Sequence, residues 1–270
     1  MIVLIRGGGE VASGVALRLH RAGFRVAISE LEKPLAKCRM VSFAEALYSN
    51  EITVEGITAK KVSDPSDSLR ILQVFAKGII PVLIDPQGDA IQFIHPTLVV
   101  DARMLEKRVE LDARRVTLFI GLGQGYEAGV NCHAAIGTNR GYQLGRVYWQ
   151  GSPEVDAILS GDINCSTDEH RLFAQADGII ETLAQIGDHL EAQQPVATIG
   201  GQVVNAPVKG VLRGLVHEGV SVQKGFEIGD VDPHDNVRVC SLLSERALAV
   251  GGGVLEAILS KAELRPHLWK

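Results

Sequence analysis

No apolar run in the chain approaches the ~20 residues a helix needs to cross a bilayer, and no cluster of lysine and arginine offers a membrane-surface anchor. A basic excess is also missing. The formal net charge of −5 argues against the broad electrostatic footprint of a nucleic-acid binder. Cysteine is scarce: Cys38, Cys132, Cys165 and Cys240 stand far apart and form no C-x-x-C pair. That usage fits reduced thiols in a cytoplasmic protein rather than a disulfide or zinc framework. Cys132 and His133 are adjacent, but a metal would need further ligands from elsewhere, and no metal site is expected. The chain enters its first apolar run at Ile2, so no leading signal segment is expected.

Glycine, by contrast, is plentiful, with 29 residues gathered at particular turns rather than spread as a linker. The first turn is the most informative. Ile2-Val3-Leu4-Ile5 runs into Gly7, Gly8 and Gly9, an amphipathic stretch follows, and a second apolar run closes on Ser29-Glu30. This reads as strand, tight turn, helix, strand. Gly7 permits the sharp turn, Gly9 a close approach to phosphate, and Ala12 close helix–sheet packing. Glu30 stands about twenty residues on, where an acid accepts hydrogen bonds from a ribose. The same unit with its glycines serving only the turn is the alternative. Gly14, inside the helix, costs about 1 kcal/mol relative to alanine and is expected to serve close packing.

Strands and helices alternate over the first hundred residues, indicating a mostly parallel sheet. A segment from Arg39 to Leu47 has helical spacing, residues 52–59 suggest a strand pair around Gly56, and Asp67 or Ser68 is a candidate N-cap for a helix over residues 68–77. Gly7–Gly9, Glu30, Asp85, Asp101 and Arg103 all fall at expected strand ends and could share one rim of the sheet, although Asp85 also suits a turn beside Pro86 and Asp101–Arg103 a surface ion pair. A second apolar run, residues 116–120, enters another glycine loop at Gly121, Gly123 and Gly125, whose amides could cradle an anion. Arg140 and Arg146 follow and offer guanidinium forks for phosphate oxygens, or solvated surface arginines.

From about Asp162 the texture changes to short apolar doublets between glycines, with an internal repeat. Asp177-Gly178-Ile179-Ile180 is matched by Lys209-Gly210-Val211-Leu212, and Gly187 by Gly219, both at an offset of 32 residues. The two halves resemble the barrel-sandwich architecture of biotinyl and lipoyl domains. The tip between them, Gly200-Gly201-Gln202-Val203, has no lysine to carry a cofactor, so a docking or structural module is expected. Residues 241–264 read as a helix or helix pair, interrupted by Gly251, Gly252 and Gly253 and capped by Ser244-Glu245. The expected organisation is a Rossmann-like α/β domain over residues 1–160, a barrel-sandwich module over 161–236, and a C-terminal helical segment over 237–270 packing back on the first domain.

Several longer stretches carry a resemblance. They include Ile5-Arg6-Gly7-Gly8-Gly9-Glu10-Val11-Ala12-Ser13-Gly14, Asp101-Ala102-Arg103-Met104, Ile120-Gly121-Leu122-Gly123, Leu144-Gly145-Arg146-Val147, Ile228-Gly229-Asp230-Val231-Asp232-Pro233 and Gly251-Gly252-Gly253-Val254-Leu255-Glu256. In these the chain resembles the YqeB-type accessory proteins of selenium-dependent molybdenum hydroxylase systems, departing from their pattern at Gln124, Gly137, Tyr142 and His234. The resemblance implies a role in supplying or maturing the molybdenum centre of a cytoplasmic hydroxylase, as partner. A phosphate-bearing small molecule, such as the nucleotide form of the molybdenum cofactor, would then sit on Gly7, Gly8, Gly9, Gly121, Gly123 and Gly125, with Glu30 on a ribose and Arg140 or Arg146 on the charge. Two other readings stay open. One is an NAD-dependent oxidoreductase, for which Tyr126, Tyr142 and His133 form no acid–base constellation; the other is a non-enzymatic scaffold. A homo-oligomer is also open.

Overall fold

The computed structural model describes residues 1–105, 116–153 and 167–267; the expected boundary at 160/161 and Cys165 lie outside them. The apolar runs become parallel strands: β1 (Ile2–Arg6), β2 (Arg25–Glu30), β5 (Ile80–Ile84), β6 (Leu98–Asp101), β7 (Leu118–Leu122) and β8 (Ala134–Ile136), with the hairpin β3 (Glu51–Val54) and β4 (Ile57–Val62) at one edge and β9 (Val147–Tyr148) at the other. The nine-stranded order is β3-β4-β5-β2-β1-β6-β7-β8-β9. Only the outermost strands run antiparallel to their neighbours. Read from β5 to β8, this is the doubly wound order, and its direction of winding reverses between β1 and β6.

Strand alternation divides the core. Val3, Ile5, Val26 and Ile28 face one layer with Val15, Leu19, Val250 and Val254. Leu4 and Ala27 face the other with Ile71, Val74 and Ala90. The first layer is built by α1 (Glu10–Arg21) and α5 (Glu245–Ser260), the second by α3 (Ser68–Ala76) and α4 (Ala90–Ile94). Between β2 and β3, the stretch expected as one helix is two 3-10 turns, Arg39–Val41 and Phe43–Glu45, and the short α2 (Ala46–Ser49). Its apolar side chains Val41, Phe43 and Leu47 are buried all the same, so spacing marked burial correctly and secondary structure only in part.

The glycines of α5 do not break it. A Cβ on Gly14 would stand 2.4 Å from the Ala247 carbonyl oxygen, one on Gly251 would meet the Gly14 carbonyl at 2.7 Å, and one on Gly253 the Gly145 carbonyl at 2.2 Å. Three backbones therefore close on one another where side chains would hold them apart. Ser244 caps the helix, its hydroxyl accepting from the Ala247 amide at 3.2 Å.

The repeat folds as two four-stranded antiparallel sheets, β10 (Arg171–Phe173), β17 (Glu227–Asp232), β15 (Gly210–Leu215) and β12 (His189–Leu190) in one, and β14 (Gln202–Asn205), β13 (Pro195–Ile199), β11 (Gly178–Thr182) and β16 (Ser221–Val222) in the other. Each half lends its second strand to the other half's sheet, since β11 pairs with β16 and β15 with β12. Equivalent glycines make equivalent contacts: a Cβ on Gly178 would stand 2.6 Å from the Gly200 amide nitrogen, one on Gly210 2.2 Å from the Asp232 carbonyl. Ile180, Val196, Leu212 and Ile228 close a core of their own.

Two alanine substitutions separate close packing from helix propensity. Gly14→Ala is expected to cost about 1–3 kcal/mol by overpacking. Gly252→Ala, whose Cβ would meet nothing within 4 Å, is expected to gain up to about 1 kcal/mol. Urea unfolding of both variants checks the pair; equal effects would contradict the packing account.

Candidate functional site

In a doubly wound sheet the ligand crevice lies beyond the carboxyl ends of the strands, where the winding reverses. Here β1 delivers Arg6 and the first glycine turn to that point, and β6 delivers Asp101, Ala102 and Arg103. Asp101 is no surface ion-pair residue. Its side chain is fully buried, with Arg6 Nη1 at 3.7 Å. The Arg103 guanidinium grips it, Nε donating to Oδ1 at 2.9 Å and Nη2 to Oδ2 at 2.6 Å, with the Arg103 amide adding a bond at 3.2 Å. Asp85 is the turn residue its sequence allowed, accepting from the amides of Gly88, Asp89 and Ala90.

The first glycine turn lies against this cluster. Gly7, at φ +93°, leaves a Cβ position 3.2 Å from the Ala102 carbonyl and 3.3 Å from the Arg103 amide nitrogen. The Gly8 amide is given to Glu30 Oε2 at 2.7 Å, while Glu30 Oε1 accepts from the Leu31 amide at 2.7 Å. Glu30 thus braces the turn from the end of β2. Gly9 meets nothing within 4 Å of a Cβ position. As N-cap of α1 it supplies no side-chain hydrogen bond, so the amides of the first helical turn keep their affinity for an external acceptor. Glu10 turns aside to take Arg213 Nη2 at 2.6 Å and the Ser244 amide at 3.0 Å.

The second glycine turn meets the same segment from its other side. Gly123, at φ +105°, packs on Met104, whose Cα would stand 3.1 Å from a Cβ there. The Gly125 amide donates to the Leu105 carbonyl at 2.8 Å. Gly121 makes room for the Tyr126 ring, which a Cβ would reach at 2.1 Å. The two turns therefore converge on residues 102–105. Met104 holds a left-handed φ of +57° between them, a conformation that costs an ordinary side chain some strain. Tyr126 is fully buried; its hydroxyl lies beside the Asp101 carboxylate and the Arg103 guanidinium and interacts with both, but closes no hydrogen bond of good geometry on either. Burial, and then the Asp101 carboxylate, hold the phenol in its protonated form by raising its pKa.

The two arginines singled out from sequence each have a protein partner. Arg140 pairs with the exposed Glu245 at 2.7 Å. Arg146 donates Nε to the Tyr142 carbonyl at 2.7 Å and lines an open cleft of about 700 Å³ with Gln143, Tyr148 and Glu256, at the β9 edge of the sheet. The strands β7 and β8 separate that edge from the reversal point. Three residues that motif reading passed over are Glu10, Arg213 and Arg246. Arg246 donates Nε to the Thr138 carbonyl at 2.7 Å, and burial lowers its pKa, with Arg140 and Arg171 adding to the effect. Glu10 had a visible signal, directly after Gly9; Arg213 lies in a stretch shared with the resembling family, Val211-Leu212-Arg213-Gly214-Leu215, and Arg246 had no signal. Cys38, Cys132 and Cys240 are buried and free, and burial pushes the Cys132 thiol up to about 12. His133 Nδ1 accepts from the Phe119 amide at 2.8 Å. Among the described residues no group of three His, Cys, Asp or Glu side chains is placed to hold a metal, and no helix is long and apolar enough to cross a membrane.

Compared with known proteins, the chain is 38 % identical over 258 residues, 96 % of its length, to the uncharacterized protein YqeB of Escherichia coli strain K12. The chain belongs to the YqeB-type family. It spans about half of that relative, 47 % of its length. No family model matches. Among solved structures, the product-bound ectoine utilization protein EutE (DoeB) of Ruegeria pomeroyi is 12 % identical at a TM-score of 0.26, covering 85 % of this chain and 84 % of that one. Its apo form gives 10 % and 0.25, covering 85 % of each chain. Likeness at that level carries no argument.

The Glu30 carboxyl gives the site a pH signature. Burial raises its pKa, outweighing the Leu31 and Gly8 amides and the nearby Arg103. A carboxyl raised on folding contributes stability that is complete below its unfolded pKa and is lost as pH rises through the folded one. Wild-type stability relative to Glu30→Gln should therefore fall as pH rises from about 4.3 upward. Urea melts of both proteins across that range check it; a difference that grows with pH would contradict it.

Proposed function

We propose that this is a cytoplasmic accessory protein that binds a phosphate-bearing small molecule at the β1/β6 reversal point and presents it to a partner enzyme. The observation that carries the reading is the uncapped N-terminus of α1 at Gly9, next to a segment that holds Arg103. Amides at a helix start and a guanidinium fork are the two donor types that recognise phosphate oxygens. The nucleotide form of the molybdenum cofactor, carried as cargo to a selenium-dependent molybdenum hydroxylase, is the ligand and partner that the family resemblance implies. Its phosphates suit these donors. The two antiparallel sheets are read as a barrel-sandwich module of the biotinyl and lipoyl type that docks the enzyme. With Arg140 held by Glu245 and Arg146 by the Tyr142 carbonyl, Arg103 takes the charge-neutralising part.

NAD-dependent oxidation is the second reading, and Glu30 at the end of β2 favours it. Both Glu30 oxygens already accept backbone amides, so a ribose would have to share them.

Thermal shifts with NAD, NADP, CTP, GDP and isolated molybdenum cofactor separate these. Stabilisation by the cofactor or by CTP or GDP is expected, about 2.7 kcal/mol at a hundredfold excess over Kd. Stabilisation by the nicotinamide nucleotides alone would turn the reading to the oxidoreductase, and no shift with any ligand would turn it to a scaffold.

A further inference from the structure

A buried hydroxyl without a partner forfeits the hydrogen bonds it made to water, so in a folded protein it calls for an explanation. Tyr126 presents one. Its ring fills the space that Gly121 vacates, and its hydroxyl lies against both Asp101 and Arg103 without closing a hydrogen bond of good geometry on either. Asp101, meanwhile, takes three donors from a single residue, Arg103, and only a distant fourth group from Arg6. Of those two arginines, Arg6 is sealed in, with 8 % of its side chain exposed, whereas Arg103 is 31 % exposed and stands beside the open glycine turn. Met104, directly after it, is held in a left-handed conformation, so the segment that carries Arg103 is under strain.

We infer that Arg103 is the anion-gripping residue of this site and that Tyr126 is its stand-in, donating its hydroxyl to Asp101 when Arg103 turns to a ligand phosphate. The inference rests on the function proposed above and names the residues that would perform it. Without the Arg103 side chain the buried Asp101 carboxylate keeps only the residue-103 amide and the more distant Arg6, and removing one partner of a buried ion is strongly destabilising. A protein that lends Arg103 to a ligand therefore needs a second donor held ready. A hydroxyl that already lies beside its acceptor and completes the hydrogen bond only when Arg103 leaves accounts for both observations together. It also couples ligand binding to residues 102–105, on which both glycine turns rest.

The test measures ligand-free melting temperature, and affinity by calorimetry at low salt, for sodium pyrophosphate and for CDP. Wild type, Tyr126→Phe, Arg103→Ala and Arg103→Lys are compared. Tyr126→Phe should melt at or above the wild-type temperature yet bind about fivefold to tenfold more weakly, one hydrogen bond having been lost from the bound state alone. Arg103→Ala should lose tenfold or more, with partial recovery in Arg103→Lys. Combining Tyr126→Phe with Arg103→Ala should lower the melting temperature by more than the two single effects together, since Asp101 then keeps only the residue-103 amide and the more distant Arg6. Pyrophosphate and CDP binding equally well would assign the affinity to the phosphates; CDP alone would add a base contact. A Tyr126→Phe protein that melts lower than wild type, or that binds as tightly, would overturn the inference and leave the proposed function standing. Wild type binding neither probe would overturn both.

Discussion

A carboxylate with no access to water sits where the sheet reverses its winding, and much of the surrounding structure answers to it. Asp101 ends β6, Arg6 ends β1, and Arg103 follows two residues later. Stripping such an ion of one partner costs about 3–5 kcal/mol, so the conformation of residues 102–105 is dictated by the need to return Arg103 to Asp101. That conformation in turn decides where the glycine turns lie. Gly7 rests on Ala102 and Arg103, and Gly123 on Met104. Both turns need glycine because neither their φ angles nor their neighbours admit a side chain.

A second ionic junction joins the antiparallel sheets to the α/β part. Arg213, on β15, reaches Glu10 at the start of α1 and also stands 3.5 Å from Asp230. The Leu215 amide donates to the Lys37 carbonyl at 3.0 Å, Arg39 Nε to the Leu215 carbonyl at 2.8 Å, and Tyr48 stacks on His217 with ring centroids 3.9 Å apart. Glu10 is the shared element. It draws Arg213 and the Ser244 amide to the mouth of the first glycine turn without capping the helix itself. The sheets, α5 and α1 are thereby brought to one place, which is where a ligand recognised by α1 would be felt by all three.

What could be read in the chain follows from the range of each interaction. Alternating apolar runs and a glycine turn are local, and the βαβ unit at residues 2–30 was legible from them. The 32-residue repeat was legible because equivalent glycines make equivalent close contacts. The role of Gly14 was legible because a glycine inside a helix has few other uses. The burial of Asp101 was not, since an aspartate two residues from an arginine looks the same on a surface and in a core. Arg140 and Arg146 followed a glycine loop in sequence, but β8 and the turn after it carried them to Glu245 and to the sheet edge. Glu30 was expected to face a ribose, and its carboxylate accepts the Gly8 and Leu31 amides, an acceptor role that fits the same position and that spacing alone does not distinguish. Arg213 and Arg246 reach the site from distant parts of the chain; Arg213 lies in the stretch Val211-Leu212-Arg213-Gly214-Leu215, which also carries the family resemblance but says nothing of its contact with Glu10, and no motif marks Arg246.

The central claim is that an anion is received at the start of α1, between the first glycine turn and Arg103. A crystal structure of the protein soaked in sodium pyrophosphate tests it most directly. Density on the amides after Gly9, with the Arg103 guanidinium turned toward it and the Tyr126 hydroxyl on Asp101, is the predicted result. Pyrophosphate bound only in the cleft beside Arg146, with Arg103 still closed on Asp101, would contradict it.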